Sequence, residues 1–165
     1  MFSQWKKSGA QWVAIGMGWD LLGESLITAD GDSVPGAGVF PSRADYRPGR
    51  FSGEVHGLDA QGRESAGYIN HLGHSELIAG ATPLMTLEDP PEGLPAEEGL
   101  RAPHLFATRV GGPALALNPH WAMDIVSETL ASRGLTPEPG ECHERVDTAA
   151  SKARSLVIER LQSRR

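Results

Sequence analysis

The side chains with the most evident chemistry stand next to each other near the C-terminus. Cys142 is the only cysteine of the chain, and His143 follows it directly in the segment PGECHER. A thiol beside an imidazole has the components of a nucleophile and its base. Adjacent residues rarely face each other, however, and the nearby Pro and Gly residues predict a linker. We therefore favour an incidental exposed cysteine over a catalytic one.

Two histidines raise the question of a metal site. His71 and His74 are three residues apart, and Glu76 is close to them in sequence. In a strand this spacing places the two rings on opposite faces, and apart from Glu76 no third ligand of a suitable type is evident. We expect structural roles for both histidines, and neither a metal nor a cofactor.

A third segment has the form of an active-site turn without a reactive residue. The sequence VAIGMGWDLLGESL (13–26) passes from an apolar run through Gly16, Met17 and Gly18 into a helix-like segment. In α/β enzymes a strand–turn–helix unit of this kind presents a nucleophile. None of these three residues has a nucleophilic side chain. The backbone N–H groups of Gly16 and Gly18 remain able to meet an anion.

The elements that would position these residues are short and of both types. The sequence predicts a helix at 2–9, a buried parallel-type strand at 12–15, a helix at 19–26, strands at 50–57, 65–72 and 104–110, and helices from Pro119 to Gly134 and at 147–162. Asn118 is expected to cap the helix that follows it. The last helix is expected to have an apolar face made of Ala149, Ala153, Leu156, Val157 and Leu161.

Composition limits the classes of function. The chain has 165 residues, 39% of them apolar and 22% charged, which is enough apolar residues for a core. Its net charge of −6 disfavours nucleic acid as the main partner. Neither a membrane span nor a secretory segment is evident. With one cysteine and no internal disulfide, we expect a cytoplasmic protein.

Five segments form one ordered set of motifs. They are GMGWDLLG (16–23), GAGVF (36–40), RFSGE (50–54), GYINH (67–71), and ATRVGGP (107–113) with the following NP (118–119). In order and spacing they resemble the class I glutamine amidotransferases of the cobyric acid synthase type. The likeness is greatest to the glutaminase subunit of lipid II isoglutaminyl synthase, which pairs with a Mur-ligase-like subunit. Each motif alone is weak, and the five together are fairly specific.

The departures from the family pattern concern its chemistry. The family has a cysteine where this chain has Gly16 and a histidine where it has Gly111. The resemblance implies a reaction in which the cysteine forms a thioester with glutamine and the histidine transfers the proton. Because glycine supplies neither group, we expect no catalytic residue at these two positions.

The resemblance also implies positions for ligand binding. The candidates are Arg50, Gly18, Asp20, Asn70 and His71. Arg50 matches an arginine that holds the glutamine carboxylate, and pairing with Glu54 is an equally good interpretation. Asp20 replaces a glutamine of the family and acts either at the start of a helix or in a new polar contact in the old pocket. For His71 we expect packing or a site-shaping role.

The expected fold is α/β: a partial class I glutaminase (flavodoxin-like) domain with a central, mostly parallel sheet and flanking helices. We expect this domain at 1–135, a linker at 136–146 and a C-terminal helix at 147–163 that packs on the domain or on a partner. The family has several strand–helix units before its elbow, whereas this chain has 15 residues there. Either this sequence starts late or the domain is genuinely shortened. In the second case the strand at 12–15 would have an open edge, and a partner chain or self-association would be expected to cover it.

The resemblance and the two glycines lead to one functional hypothesis and two alternatives. The hypothesis is a catalytically inactive glutamine amidotransferase-like subunit, a scaffold or regulatory partner of a Mur-ligase-like, ATP-dependent amide ligase. The first alternative is an active amidotransferase with a relocated nucleophile that supplies ammonia to a cell-wall or cobalamin precursor. The second is a binding module for small anions or amino acids.

Overall fold

The computed structural model describes residues 2–78 and 80–163, so Met1 and Ala79 of the expected first domain lie outside the described residues. The helices in the described part are α1 (Phe2–Lys7), α2 (Met17–Leu22), α3 (Ala114–Leu117), α4 (Pro119–Ala131) and α5 (Glu141–Gln162). The strands there are β1 (Trp12–Ile15), β2 (Ser25–Ile27), β3 (Ser33–Pro35), β4 (Ser42–Asp59), β5 (Glu64–Leu77), β6 (Met85–Leu87), β7 (Glu97–Glu98), β8 (Leu100–Ala102), β9 (Leu105–Thr108) and β10 (Val110–Gly111).

A long hairpin of β4 and β5 forms the centre of the larger sheet. The two strands pair antiparallel, with a shift of register between Asp45 and Arg50. Asp59 closes the turn, since its carboxylate accepts hydrogen bonds from the N–H groups of Gln61 and Arg63 at 3.0 and 2.9 Å. Side chains alternate between an exposed face and a face that packs on a buried apolar cluster. That cluster contains Phe51, Val55, Ile69, Leu84, Met85, Leu87, Phe106, Val110, Ala114 and Trp121.

The smaller sheet has the order β1–β9–β8, and its parallel pair β1–β9 positions the strand-to-helix turn. Trp12 is in register with Leu105, and Ile15 with Thr108. A second apolar cluster covers one face of this sheet and contains Ala14, Trp19, Val39, Phe40, Leu100, Leu105 and Ala107. The carboxyl ends of β1 and β9 therefore meet at one edge of the molecule.

The fold is mixed α/β, and the expected parallel character is only partly confirmed. Parallel pairing occurs between β1 and β9 and between β2 and β4, whereas the other strand pairs are antiparallel. The physical reason is the length of the connections. The short turn between β4 and β5 permits only an antiparallel pair, because a parallel crossover needs a dozen or more residues.

Three helical expectations differ from the structure. The helix expected at 19–26 is α2, which begins at Met17 and ends at Leu22, and Leu26 lies in β2 instead. The second difference concerns Asn118, which precedes α4 but makes no side-chain cap. Its buried amide instead bridges elements, accepting from the N–H of Ala66 at 3.0 Å and donating to the carbonyl oxygens of Ala66 and Ala114 at 2.9 Å. Satisfying buried backbone groups of β5 and α3 takes precedence over a cap, because a buried polar group left without a partner is costly.

The last helix starts earlier than predicted and turns another face to the protein. α5 begins at Glu141, and the N–H of Gly140 donates to Nδ1 of His143 at 3.1 Å in its first turn. Ala150 and Ile158 are its buried residues, while the predicted core residues Ala149, Ala153 and Leu156 are not buried. A short apolar pattern with several alanines leaves the rotation of the helix to its packing on β4, β5 and α3. In the described ranges, no helix combines the length and the apolar character needed to cross a membrane.

Candidate functional site

The strand-to-helix turn at Gly16 has the geometry of an active-site elbow. β1 ends at Ile15, α2 begins at Met17, and Gly16 between them has φ 60° and ψ −133°. L-residues adopt this conformation only with strain, and glycine adopts it freely. The N–H of Gly16 donates to the carbonyl oxygen of Thr108 at 2.9 Å. A Cβ added at Gly16 would meet no atom within 4 Å, so the turn has space for a side chain that it lacks.

Gly111 lies close to the same edge of the molecule. It is three positions after Thr108, which limits the distance between their Cα atoms to about 11 Å. Gly111 belongs to β10 and pairs with Tyr68 of β5. A Cβ added at Gly111 would have the carbonyl oxygen of Tyr68 as its nearest atom, at 3.7 Å. Neighbouring atoms therefore leave space for a side chain at both glycines. Both positions lack the side-chain atoms that acyl transfer needs.

A buried network of charged and polar side chains joins two residues that are close to these glycines in the chain, Asp20 and Arg109, to two residues of the hairpin, Tyr46 and His71. Asp20 from α2 accepts a hydrogen bond from a terminal nitrogen of Arg109 at 2.6 Å and lies 3.0 Å from Nε2 of His71. The same carboxylate accepts from the hydroxyl of Tyr46 at 2.8 Å. Asp20 is 1% exposed and Arg109 5% exposed, so the ion pair is removed from solvent. Its charges are compensated inside the protein.

The network fixes the tautomer of His71. Nε of Arg109 is a donor only, and it lies 3.0 Å from Nδ1 of His71. Nδ1 must then be an acceptor, which assigns the ring proton to Nε2, where it is donated to Asp20. The imidazole is therefore neutral and both of its nitrogens are engaged. It has no nitrogen left to serve as a base toward a substrate.

Arg109 is held from several further directions. Its guanidinium donates to the hydroxyl of Ser75 at 2.8 Å and lies over the ring of Trp19 at 5.0 Å. Its backbone N–H donates to the carboxylate of Glu98 at 2.6 Å, and the hydroxyl of Thr108 donates to the other oxygen at 2.9 Å. An arginine with this set of contacts is a fixed part of the interior.

The electrostatics of the acids follow from these contacts. Burial by itself would raise the pKa of Asp20, but the hydrogen bond from His71, the charge of Arg109 and the Tyr46 hydroxyl outweigh it, so the pKa is lowered. Burial raises the pKa of Glu98 even though Arg109 and Thr108 donate to it. Burial and the carboxylate of Asp20 together raise the pKa of Tyr46. Asp20 is thus the ionised acid of the network.

The other candidate ligands lie apart from this network. Arg50 donates to the side-chain oxygen of Asn70 at 2.6 Å, in a contact open to solvent. The two residues lie on the outer face of the hairpin, because their neighbours Phe51 and His71 point to the buried face. The structure therefore brings Asp20 and His71 together and places Arg50 and Asn70 on the opposite face of the sheet. Gly18, within α2, would accept a Cβ with no atom nearer than 4 Å.

The alternative partner expected for Arg50 has another contact. Glu54 on β4 forms an ion pair with Arg160 of α5. Among the described residues, no carboxylate lies within 4.0 Å of the Arg50 guanidinium. The Arg50 guanidinium is consequently exposed to solvent, and its hydrogen bond to the neutral amide of Asn70 does not compensate its charge.

Cys142 and His143 belong to a different part of the fold from the elbow. They line a cavity of about 1000 Å³ between α4 and the first turns of α5, together with His120. Cys142 is exposed, and Nδ1 of His143 accepts from the N–H of Gly140 at 3.1 Å. Burial and the charges of Arg63 and Arg154 lower the pKa of His120 to about 4, so this ring is neutral near pH 7. No thiol–imidazole hydrogen bond links Cys142 to His143 among the described contacts.

The histidines considered as a metal pair have separate surroundings. His71 belongs to the buried network, whereas His74 is in register with Asp45 on the neighbouring strand. Over residues 2–78 and 80–163, no group of three or more His, Cys, Asp or Glu side chains is arranged to hold a metal ion.

Sequence reasoning missed the partners that define the network. They are Arg109, Tyr46, Ser75 and Glu98. The available signal was the acid at Asp20, where the resembled family has glutamine, together with the positively charged Arg109 inside the motif at 107–113. The two residues are 89 positions apart, so their opposite charges alone do not indicate a contact.

Comparison with known proteins agrees with the order of the motifs. The model of the CobB/CobQ-like glutamine amidotransferase domain matches residues 2–118, which is more than half of the chain. No curated protein matches the sequence. The matched region contains the elbow, the hairpin, Arg109 and Gly111. The chain therefore belongs to the CobB/CobQ-like glutamine amidotransferase family.

Proposed function

We propose that this chain is a catalytically inactive glutamine amidotransferase-like subunit. The observation that carries the proposal is the pair of glycines at the elbow and at the position of the family base. Gly16 offers no sulfur to form a thioester, and Gly111 offers no ring nitrogen to move the proton. Loss of the nucleophile alone typically lowers the rate of such an enzyme by several orders of magnitude.

The buried network supports the same proposal. Asp20 and Arg109 stand near Gly16 and Gly111 in sequence and saturate each other's polar groups, together with His71. Binding a glutamine there would require breaking a buried ion pair, which is costly because it leaves a charge uncompensated. The arrangement keeps the elbow as a structural joint between β1 and α2.

The proposed role is that of a scaffold or regulatory partner of a Mur-ligase-like, ATP-dependent amide ligase in cell-wall synthesis. This part of the proposal is supported by the resemblance of the motifs at 16–23, 67–71 and 107–113 to the glutaminase subunit of lipid II isoglutaminyl synthase. In this role the ligase would obtain its ammonia from another source.

A glutaminase assay tests the proposal directly. Ammonia release from glutamine is measured for the purified chain, with and without a Mur-ligase-like subunit, beside a family member that has both cysteine and histidine. We expect release at the level of buffer for this chain in both conditions. Turnover that disappears in Cys142→Ser would instead support an active amidotransferase with a relocated nucleophile.

A second candidate function is a binding module for small anions or amino acids. It is favoured by the guanidinium of Arg50, which has no carboxylate partner among the described residues. A thermal-shift series with glutamate, glutamine and phosphate tests it, because a ligand that prefers the folded state raises the melting temperature. A shift that is lost in Arg50→Gln supports this function, and no shift with any of the three excludes these ligands.

A further inference from the structure

The cavity lined by Cys142 and His143 is a cleft between α4 and the N-terminal part of α5, here called the α4–α5 cleft. Its volume is about 1000 Å³. Packed protein interiors leave few voids larger than a water molecule, whereas sites for small molecules commonly measure about 300–1,000 Å³. The size of the α4–α5 cleft is therefore that of a ligand site.

Apolar side chains form most of the walls of the cleft. α4 contributes Met123 and Val126, α5 contributes Val146, and the segment between the helices contributes Pro137 and Pro139. Val126 and Val146 are each 46% exposed, so the two helices do not close over them. Exposed apolar side chains grouped in one place mark binding sites, whereas single ones do not. The walls favour a ligand with an apolar body.

Arg154 brings a positive charge without a counter-ion into this cleft. It is half-buried, and its Nη1 donates to the carbonyl oxygen of Leu117 at 2.7 Å. Among residues 2–78 and 80–163, no carboxylate lies within 4.0 Å of its guanidinium. Arg63, the other arginine of the lining, is by contrast paired with both Asp59 and Asp124. The free cation of the lining is thus Arg154.

His120 indicates the sign of the electrostatic field inside the cleft. Burial is the main cause of its lowered pKa, and the charges of Arg63 and Arg154 lower the pKa further. Asp59 and Asp124 act in the opposite direction and have the smaller effect. A net positive field at the ring follows from this balance, and it favours an anionic group on the ligand.

The remaining acids of the lining lie toward the solvent. Glu64, Glu138 and Asp147 are exposed, whereas Arg154 is half-buried. Exposed charges are screened by water and salt more strongly than partly buried ones. These acids therefore leave the attraction at Arg154 effective, and they repel a ligand that extends a second negative group toward the solvent. The charges of the cleft fit a single anionic group.

We propose that the α4–α5 cleft binds an apolar monocarboxylate, with its carboxylate on Arg154 and its apolar chain along Met123, Val126 and Val146. A guanidinium suits a carboxylate because its N–H donors lie in one plane and can form two parallel hydrogen bonds. Only Nη1 of Arg154 donates within the described contacts, so the other nitrogens are available to the ligand.

The site is formed before a ligand arrives and is independent of the proposed function. Pro137 and Pro139 restrict the backbone of the segment that joins the two helices, because the proline ring fixes φ. Gly16, Gly111 and Arg50 do not belong to the lining of the cleft. Loss of glutaminase chemistry and binding in this cleft can therefore be tested separately.

The first test is titration calorimetry of the full chain with octanoate, decanoate and octylammonium. We expect saturable binding of octanoate, at least ~10-fold tighter than that of octylammonium. Decanoate is expected to bind up to ~15-fold tighter than octanoate, since each buried methylene contributes about 0.8 kcal/mol. No saturable binding of octanoate, or equal affinities for octanoate and octylammonium, overturns the proposal.

The second test removes the charge of Arg154. Arg154→Gln keeps a donor for the carbonyl oxygen of Leu117 and is expected to weaken octanoate binding at least ~10-fold. Arg145→Gln is the matched control, because Arg145 is exposed on the same helix and lies outside the lining. Octanoate binding that is equal in Arg154→Gln and the wild type contradicts the proposal.

A third test fills the cleft and leaves Arg154 in place. Ser151 is exposed in the lining, whereas Ser155 is exposed on α5 outside it, so both positions tolerate a large side chain. We expect Ser151→Trp to abolish octanoate binding and Ser155→Trp to retain it. Unchanged binding in Ser151→Trp would locate the ligand elsewhere and overturn the assignment of the cleft.

Discussion

At the scale of the residue, the main feature that the motifs do not predict is the ion pair of Asp20 and Arg109. The two groups lie 2.6 Å apart with almost no access to solvent. The lowered pKa of Asp20 has a consequence for stability. The contribution of the ionised carboxylate is fully present above the ordinary pKa of an aspartate and is lost as the pH falls through the lowered value.

We predict that Asp20→Asn lowers the free energy of unfolding by about 3–5 kcal/mol, because it leaves the charge of Arg109 buried and unpaired. The control is Glu24→Gln, which removes the acid from the exposed pair with Arg43 at 3.3 Å. For that variant we expect a loss below about 1 kcal/mol. Urea unfolding at neutral pH measures both. Equal losses of unfolding free energy in the two variants would show that the buried ion pair contributes no more to stability than the exposed one.

His120 provides a second prediction at this scale. Its pKa in the folded protein is lowered to about 4, from an ordinary value of 6.5. Below about pH 6.5 the unfolded chain takes up a proton that the folded protein refuses. The stability that His120 contributes is therefore complete above this pH and declines as the pH falls toward 4.

We expect the wild-type protein to lose more stability than His120→Gln when the pH is lowered from about 7.5 to about 4.5, by up to about 3 kcal/mol. Glutamine keeps a polar group near Ser65, whose hydroxyl lies 2.9 Å from Nε2 of His120. Urea unfolding of both proteins at the two pH values gives the difference. If both proteins lose the same amount, the ring titrates equally in the folded and unfolded states.

The absence of a nucleophile and a base at the two motif positions could be inferred from residue types. The hydrogen bonds and ion pairs of the buried network could not. Glycines at 16 and 111 occupy motif positions, so their lack of reactive groups follows from the sequence alone. The engagement of both His71 nitrogens depends on Arg109, which is distant in the chain. Likewise, the shared outer face of Arg50 and Asn70 follows from the register of β4 and β5. Local patterns do not contain this long-range information.

At the scale of the element, the turn between β1 and α2 keeps an active-site geometry without a reactive side chain. Gly16 has a positive φ, while Gly18 does not, and neither position is crowded. Alanine substitutions at the two positions add the same volume, and only the one at Gly16 forces alanine into a positive φ. Comparing them therefore isolates the effect of backbone conformation on stability.

We predict that Gly16→Ala destabilises the protein by about 1–3 kcal/mol, because alanine is strained in this region of φ and ψ. Gly18→Ala is the control within the same turn. It is expected to leave stability unchanged or to raise it by up to about 1 kcal/mol, since alanine favours a helix over glycine. Denaturant unfolding compares the two variants. A harmless Gly16→Ala would mean that the turn has relaxed from the elbow conformation.

Elements with strong local signals agree with their sequence-based predictions. The four residues of β1, 12–15, match the observed strand, and α4 begins at the predicted Pro119. The segments 50–57 and 65–72 are parts of the longer strands β4 and β5. The small strands β6 to β8 lie within or next to a Pro- and Glu-rich segment that masks their local signal. The pairing of β6 with β4 also depends on residues distant in the chain, whereas β8 pairs with the adjacent β9.

At the scale of the whole molecule, two sheets meet where the buried network lies. α2 and β9 belong to the smaller sheet and its surroundings, and His71 belongs to the larger sheet. The contact of Arg109 with Asp20 and His71 thus connects the two halves of the fold.

Covalent labelling is the measurement that tests this account most directly. The protein is incubated with a glutamine-directed electrophile and its intact mass is determined, beside Cys142→Ser and a family member that retains the cysteine. The account predicts an added mass on the catalytic relative and none on this chain in either form. A glutamine-protected adduct on this polypeptide, mapped to any residue, would contradict the claim that the fold has lost its nucleophile.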